Sequence, residues 1–220
     1  MAAYHTVKQG EHLTRIAKAY GFSDYRTVWD HAENAEVKRK RGNPNVIFPG
    51  DRLFIPDKRE KEELRPVDRR HRFRVSRKNL KLRVVLEDFA EKPIADAKCE
   101  LQVDGQVEKK TTDAKGKMER DITPDAENGI LVVTDPEDVF GDLPIVIRVG
   151  HLDPVDEVSG QTARLNNLGY LAGPFDGRSD EENRQMFLSA VEEFQCDHDL
   201  VVDGKCGSAT QAKLKQVHGS

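Results

Sequence analysis

The sequence is short of what a single large core needs. Of its 220 residues only 37% are hydrophobic and 6% aromatic, while 34% are charged. A chain of this length and polarity is expected to fold as several small modules, each closing a core of its own. No apolar run approaches the roughly 20 residues that a membrane-spanning helix requires, so such a helix is excluded. Met1 to Gly10 contain neither a basic cluster nor an apolar stretch of the kind that opens a secretory leader, and the chain is expected to be cytoplasmic as synthesised. Cysteine is scarce and odd in number: Cys99, Cys196 and Cys206 exclude a complete disulfide framework. Cys196 and Cys206 could pair, although reduced thiols fit the missing leader better.

A net charge of -4 hides an uneven distribution. Cations dominate from Lys58 to Arg83, whereas acids dominate both 84–150 and 151–220. A basic stripe can mark a nucleic-acid contact, but Glu60, Glu62, Glu63 and Asp68 interrupt this one and only Phe73 is placed to stack on a base. A solvated linker leading into an exposed strand is the expected reading, with no nucleic-acid partner.

Reactive constellations are also missing. Cys206 and the nearby His198 and His218 do not form a transpeptidase pattern, and no cysteine at a helix start has a convincing downstream histidine. Cys196, His198 and Cys206 match no common zinc spacing. The neighbouring pairs Glu181–Glu182 and Glu192–Glu193 point in different directions on a helix, unlike glycosidase carboxylates facing across a cleft. There is no phosphate loop or dinucleotide fingerprint. No catalytic residue, metal or cofactor is expected, and the chain reads as a non-enzyme.

What is present falls into four stretches: 1–57, a charged linker at 58–70, 71–150 and 151–220. In the first, Tyr4 to Val7 alternate as a strand does; Leu13, Ile16, Ala17 and Tyr20 then recur at helical spacing and Gly21 ends the helix. A second helix is expected from Tyr25 or Thr27 to Ala35, with Val28, Ala32 and Ala35 inward and Trp29 beside them. Lys38 to Arg41 read as an exposed loop, and Arg52 to Pro56 as a closing strand. The runs His5-Thr-Val-Lys-Gln-Gly-Glu-His-Leu-Thr-Arg-Ile-Ala-Lys-Ala-Tyr-Gly21 and Asn43-Pro-Asn-Val-Ile-Phe-Pro-Gly-Asp-Arg-Leu-Phe-Ile-Pro56 resemble a LysM domain. That resemblance implies a strand-helix-helix-strand fold that binds N-acetylglucosamine glycans, in peptidoglycan or chitin, in a shallow groove. Carried over by position, the groove is lined by Gly10, Glu11, His12 and Leu13 on one side and Asn45, Val46 and Ile47 on the other. Glu11 and His12 depart from the usual Gly-Asp-Thr-Leu. For Leu13, Val46 and Ile47 core packing is the competing role.

From residue 71 the period changes to two. Phe73 and Val75, then Leu80, Leu82, Val84 and Leu86, alternate with polar partners. Further strands are expected at Cys99–Val103, Val107–Thr111, Ile130–Val133 and Leu143–Val149, separated by turns such as Asp104-Gly105 and Lys115-Gly116. This pattern implies an antiparallel β-sandwich. Pro93-Ile-Ala-Asp-Ala97 followed by Thr111-Thr-Asp-Ala-Lys-Gly116 is similar to carboxypeptidase-regulatory-like and other immunoglobulin-like spacer domains.

The last stretch returns to helical spacing. Thr162, Leu165, Leu168 and Leu171 share a face, as do Phe187, Leu188, Val191 and Phe194, and then Ala209, Ala212, Leu214 and Val217. Leu165-Asn-Asn-Leu-Gly-Tyr170, Gly173-Pro-Phe-Asp-Gly177, Ala190-Val-Glu-Glu-Phe-Gln195, Leu200-Val-Val-Asp-Gly204 and Ala209-Thr-Gln-Ala-Lys-Leu214 resemble the three-helix peptidoglycan-binding domain found beside cell-wall hydrolases. Tyr170, Asp176, Gly177, Gln195, Asp203 and Gly204 are its ligand or turn residues, with the turn role favoured for the two Asp-Gly pairs. Ser179 or Asp180 is placed to cap the second helix.

The whole therefore reads as a multidomain α+β protein: a βααβ LysM-like head, an antiparallel β-sandwich and a three-helix bundle. Two modules for one ligand class imply noncatalytic binding of peptidoglycan or N-acetylglucosamine oligomers, strengthened by linkage. The combination also resembles accessory proteins of contractile injection systems, such as type VI secretion and phage-tail-like particles, in which such a chain could be delivered to the periplasm or cell wall. The alternative is a structural adaptor for a spike, baseplate or effector protein of such a machine.

Overall fold

A computed structural model describes residues 3–58, 66, 68–72, 80–88, 90–134 and 144–220. It divides into two compact units, Met1–Gly150 and His151–Ser220, and the chain as a whole is mixed α+β, with its strands in the first unit. Phe73, Val75, Leu143 and most of the 58–70 linker lie outside the described residues.

The first unit begins with strand β1 (Ala3–Thr6), helices α1 (Leu13–Ala19) and α2 (Arg26–Trp29), a 3-10 turn at Ala32–Asn34, helix α3 (Ala35–Arg41) and strand β2 (Arg52–Ile55). β1 and β2 pair antiparallel, with His5 opposite Leu53. Val7, Leu13, Ile16, Ala17, Val28, Trp29, Ile47, Leu53 and Ile55 form the core of this head.

The expected second helix is broken after Trp29, and Ala32 and Ala35 are exposed rather than inward. Asn34 takes the interior position. Its amide nitrogen donates to the carbonyls of Val28 and Phe54, both at 2.8 Å, and its oxygen accepts from Phe54 N at 2.7 Å. A buried amide satisfied in this way ties the helical layer to β2, which an apolar periodicity cannot reveal. The basic run is likewise helical rather than a loop: Lys38 to Arg41 form the last turn of α3, where cations suit the carbonyl end.

Among the described residues six further strands follow: β3 (Leu80–Val85), β4 (Lys98–Val103), β5 (Gln106–Thr111), β6 (Lys117–Ile122), β7 (Asn128–Thr134) and β8 (Ile145–Arg148). β3 pairs with β6, and the order β5-β4-β7-β8 makes a four-stranded sheet, antiparallel at every step. Leu86, Cys99, Leu101, Val103, Met118, Ile122, Leu131 and Val133 belong to their common core. β6 is the strand missing from the sequence reading. Its inward face is Met118, Arg120 and Ile122, and the charge at its centre disguises the alternation. Arg120 is accommodated because its guanidinium donates to the carbonyls of Leu101 and Gln106, at 2.6 and 3.1 Å.

The second unit consists of α4 (Val158–Asn167), α5 (Asp180–Asp197) and α6 (Ser208–His218) around Val155, Leu165, Ala172, Ala190, Val191, Phe194 and Leu214. Ser179 caps α5 in a reciprocal capping box with Glu182. Leu171 lies beyond the end of α4 and is 67% exposed, so it does not share that helix's inner face. Ala209 and Ala212 are also exposed; Thr210, Leu214 and Val217 turn inward from α6 instead.

Candidate functional site

In the head, the turn from β1 into α1 and the loop before β2 meet through Leu13 N donating to the Pro44 carbonyl at 3.1 Å. This bond sets the Gly10–Leu13 stretch beside the loop that carries Asn45–Ile47, but not all of the seven residues expected to line a groove are open to a ligand. Leu13 and Ile47 are core residues, Val46 is buried, and Asn45 is exposed. Glu11 is half-buried. Its carboxylate lies 2.8 Å from His5 Nε2 and accepts from Lys8 N at 2.8 Å. Desolvation raises its pKa, but these hydrogen bonds and the charges of His5 and Lys8 together leave it below the usual value.

Gly10 is buried and His12 is only 2% exposed. Nδ1 of His12 accepts from Arg15 N at 3.4 Å, capping α1, while Nε2 is buried without a hydrogen-bond partner. A neighbour from the same unit lies against this end. Gly150, just after β8, approaches so closely that a Cβ on it would lie 2.6 Å from the Gly10 carbonyl oxygen and 3.4 Å from His12 Cδ2. The turn between β6 and β7 supplies Asp125 and Glu127, which pair with Lys18 and Arg15 of α1. Burial, and then Arg15, hold the His12 imidazole below its ordinary pKa against the opposing pull of the Pro124 carbonyl and Asp125. Nothing in the sequence pattern announces this contact, because the two sides lie more than a hundred positions apart.

In the second unit the expected residues divide by role. Gln195 is 1% exposed and fully engaged: its nitrogen donates to Asp203 Oδ1, the Lys205 carbonyl and Thr210 Oγ1, and its oxygen accepts from the amides of Asp203 and Gly204. It has no hydrogen-bonding capacity left for a ligand. Asp203 completes the turn by accepting from Lys205 N at 2.9 Å; that bond, followed by Gln195, lowers its pKa. A Cβ on Gly204 (φ +65°) would crowd Glu192. Tyr170 stacks edge-on against Phe194 and donates to Asp197 Oδ2 at 2.9 Å. Asp176 and Gly177 are exposed in a turn.

The surface available in this unit comes from residues the periodicity did not single out as sites. Leu171 and Phe175 project from the α4–α5 connection, 67% and 39% exposed, and Val201 and Val202 from the α5–α6 connection, 82% and 54% exposed. The first connection is held by Asn166, which donates to the Gly173 carbonyl at 2.6 Å and accepts from Ala172 N at 2.9 Å, and by Asn183, which accepts from Phe175 N at 2.9 Å. Apolar side chains fixed on a rigid loop suit the flat face of a sugar or an alkyl side chain of a peptide.

Burial makes two of the three cysteines, Cys99 and Cys206, chemically passive. All three are free thiols, and burial pushes Cys206 up to about 11, leaving it protonated and a poor nucleophile near neutrality. Among the described residues no cluster of three His, Cys, Asp or Glu could hold a metal ion, and no helix is long and apolar enough to cross a membrane.

No curated protein and no solved structure gives a significant match to the chain. Two family models do match: the LysM domain over residues 5–23, covering the end of β1, α1 and the turn between them, and the peptidoglycan binding domain over residues 156–214, covering α4, α5 and most of α6. The chain thus joins two segments similar to noncatalytic binding modules of the cell wall, one in each compact unit.

Proposed function

We propose that the protein is a noncatalytic peptidoglycan-binding protein. The observation that carries this reading is the presence, in separate compact units, of two segments matching wall-binding families. The three-helix unit makes the constitutive contact through its fixed connections, with Leu171 and Phe175 against glycan or stem peptide. The head contributes an N-acetylglucosamine groove between Gly10–Leu13 and Asn45–Ile47. The β-sandwich acts as a spacer. Tethering two weak sites multiplies their joint affinity without new contacts. Cosedimentation of the full chain with purified sacculi tests the proposal: the protein pellets at low and moderate salt, whereas failure to pellet at both defeats it.

The finer reading is an accessory protein of a contractile injection machine, which would deliver it to the periplasm or wall. The combination of modules supports this. The near-complete burial of Gly10 and His12 favours a second role within the same setting, in which the head is a protein adaptor for a spike, baseplate or effector and its groove no longer serves sugar. Copurification with a spike complex, together with no binding of N-acetylglucosamine oligomers by the head, distinguishes the adaptor from the wall binder.

A further inference from the structure

We propose that the β-sandwich is a built-in cover for the head's glycan groove: the β6–β7 turn and Gly150 sit over its Gly10–His12 end, and glycan enters only when this seam opens. The inference rests on the reading of the head as a glycan module.

Three observations support a cover that can be displaced. Gly150 has φ +79° and no side chain, and both properties are needed where its backbone meets the Gly10 carbonyl. His12 Nε2 is buried and, beyond the pull of the Pro124 carbonyl, meets no partner at hydrogen-bonding geometry. Leaving such a group unsatisfied costs about 1–3 kcal/mol, and a sugar hydroxyl entering the opened groove could satisfy it. The ion pairs that fasten the seam, Arg15–Glu127 and Lys18–Asp125, are largely solvated, with side-chain exposures of 30% and 57% in the first and 51% and 60% in the second. Solvated pairs are weak and screened by salt. The opposite rim stays accessible at Asn45, so a glycan chain can touch the groove before displacing its cover. A ligand that binds only the open form has its apparent affinity reduced by the fraction of molecules that are open.

The test titrates a tetramer of N-acetylglucosamine into the full chain by calorimetry, following the His12 imidazole by NMR to report opening. Asp125→Lys with Glu127→Lys sets like charges against Lys18 and Arg15. It is expected to expose His12 and tighten tetramer binding about tenfold or more, as release of the closed population requires. Adding Arg15→Glu and Lys18→Glu restores opposite charges and should return binding to the parent level, which separates opening from misfolding. Gly150→Ala opens the seam without changing charge and should give the same gain. Unchanged tetramer affinity in opened variants overturns the inference, as does parental affinity equal to that of the opened forms. Sacculus cosedimentation by the parent, which the three-helix unit can support alone, reports separately on the peptidoglycan reading: if it persists while opened heads ignore the tetramer, the cover and the head's glycan groove are both lost and wall binding rests on the three-helix unit.

Discussion

Arg41 and Asp51 hold each other by two parallel hydrogen bonds, Nε to Oδ2 at 2.8 Å and Nη2 to Oδ1 at 3.0 Å, with the arginine side chain only 1% exposed. Asp51 Oδ2 also accepts from Phe48 N at 3.0 Å, so the pair joins the end of α3 to the loop before β2. Removing one partner leaves the other charge buried. Arg41→Leu or Asp51→Asn is therefore expected to destabilise the head by about 3–5 kcal/mol, read as loss of amide-exchange protection in β1 and β2 while the helices of the second unit keep theirs.

Gln195 has the corresponding place in the second unit. Gln195→Leu leaves the amides of Asp203 and Gly204 without their acceptor, and a cost of about 2–4 kcal/mol is expected for two such groups after partial rehydration. A calorimetric scan should show the transition of 151–220 lowered and that of the head in place.

Acid should weaken the same unit through His218. Burial, and then Arg164, depress its pKa from 6.5 to about 4, so the folded state holds the ring neutral while the unfolded chain takes up a proton. Its contribution is complete above pH 6.5 and is lost as the pH falls through the window down to about 4. A fully shielded ring would supply about 3 kcal/mol; solvent screening of this partly exposed one reduces that to about half. His218→Gln should flatten stability across this window, measured by urea unfolding at stepped pH.

Much of the fold is legible in sequence because it follows from periodicity. Leu13, Ile16 and Ala17 mark α1, the alternation at Leu80, Leu82 and Val84 marks β3, and Ser179, one of the two cap candidates with Asp180, marks the start of α5. The misplaced elements are those where a polar residue takes an interior position: Asn34 in the broken second helix, Arg41 at the end of α3 and Arg120 in β6. Their burial depends on partners distant in sequence, which a local pattern does not contain. The site follows the same division. Asp-Gly and Asn-Pro turns place the candidate residues, but the cover over His12 is a long-range contact, and the exposure of Leu171 follows from α4 stopping at Asn167.

Leu171→Ser with Phe175→Ser tests the surface assigned to wall contact. Both side chains are already exposed, so folding should be little affected, while sacculus affinity should fall about fivefold or more if they are anchors of the usual strength. A sedimentation isotherm and an unchanged thermal midpoint together make the measurement.

The most direct test of the central claim is sedimentation of the full chain with purified sacculi before and after muramidase digestion. The protein is expected in the pellet with intact sacculi at low and moderate salt, and in the supernatant once the glycan strands are cut. Protein that stays in the supernatant with intact sacculi at both salts contradicts a peptidoglycan-binding role.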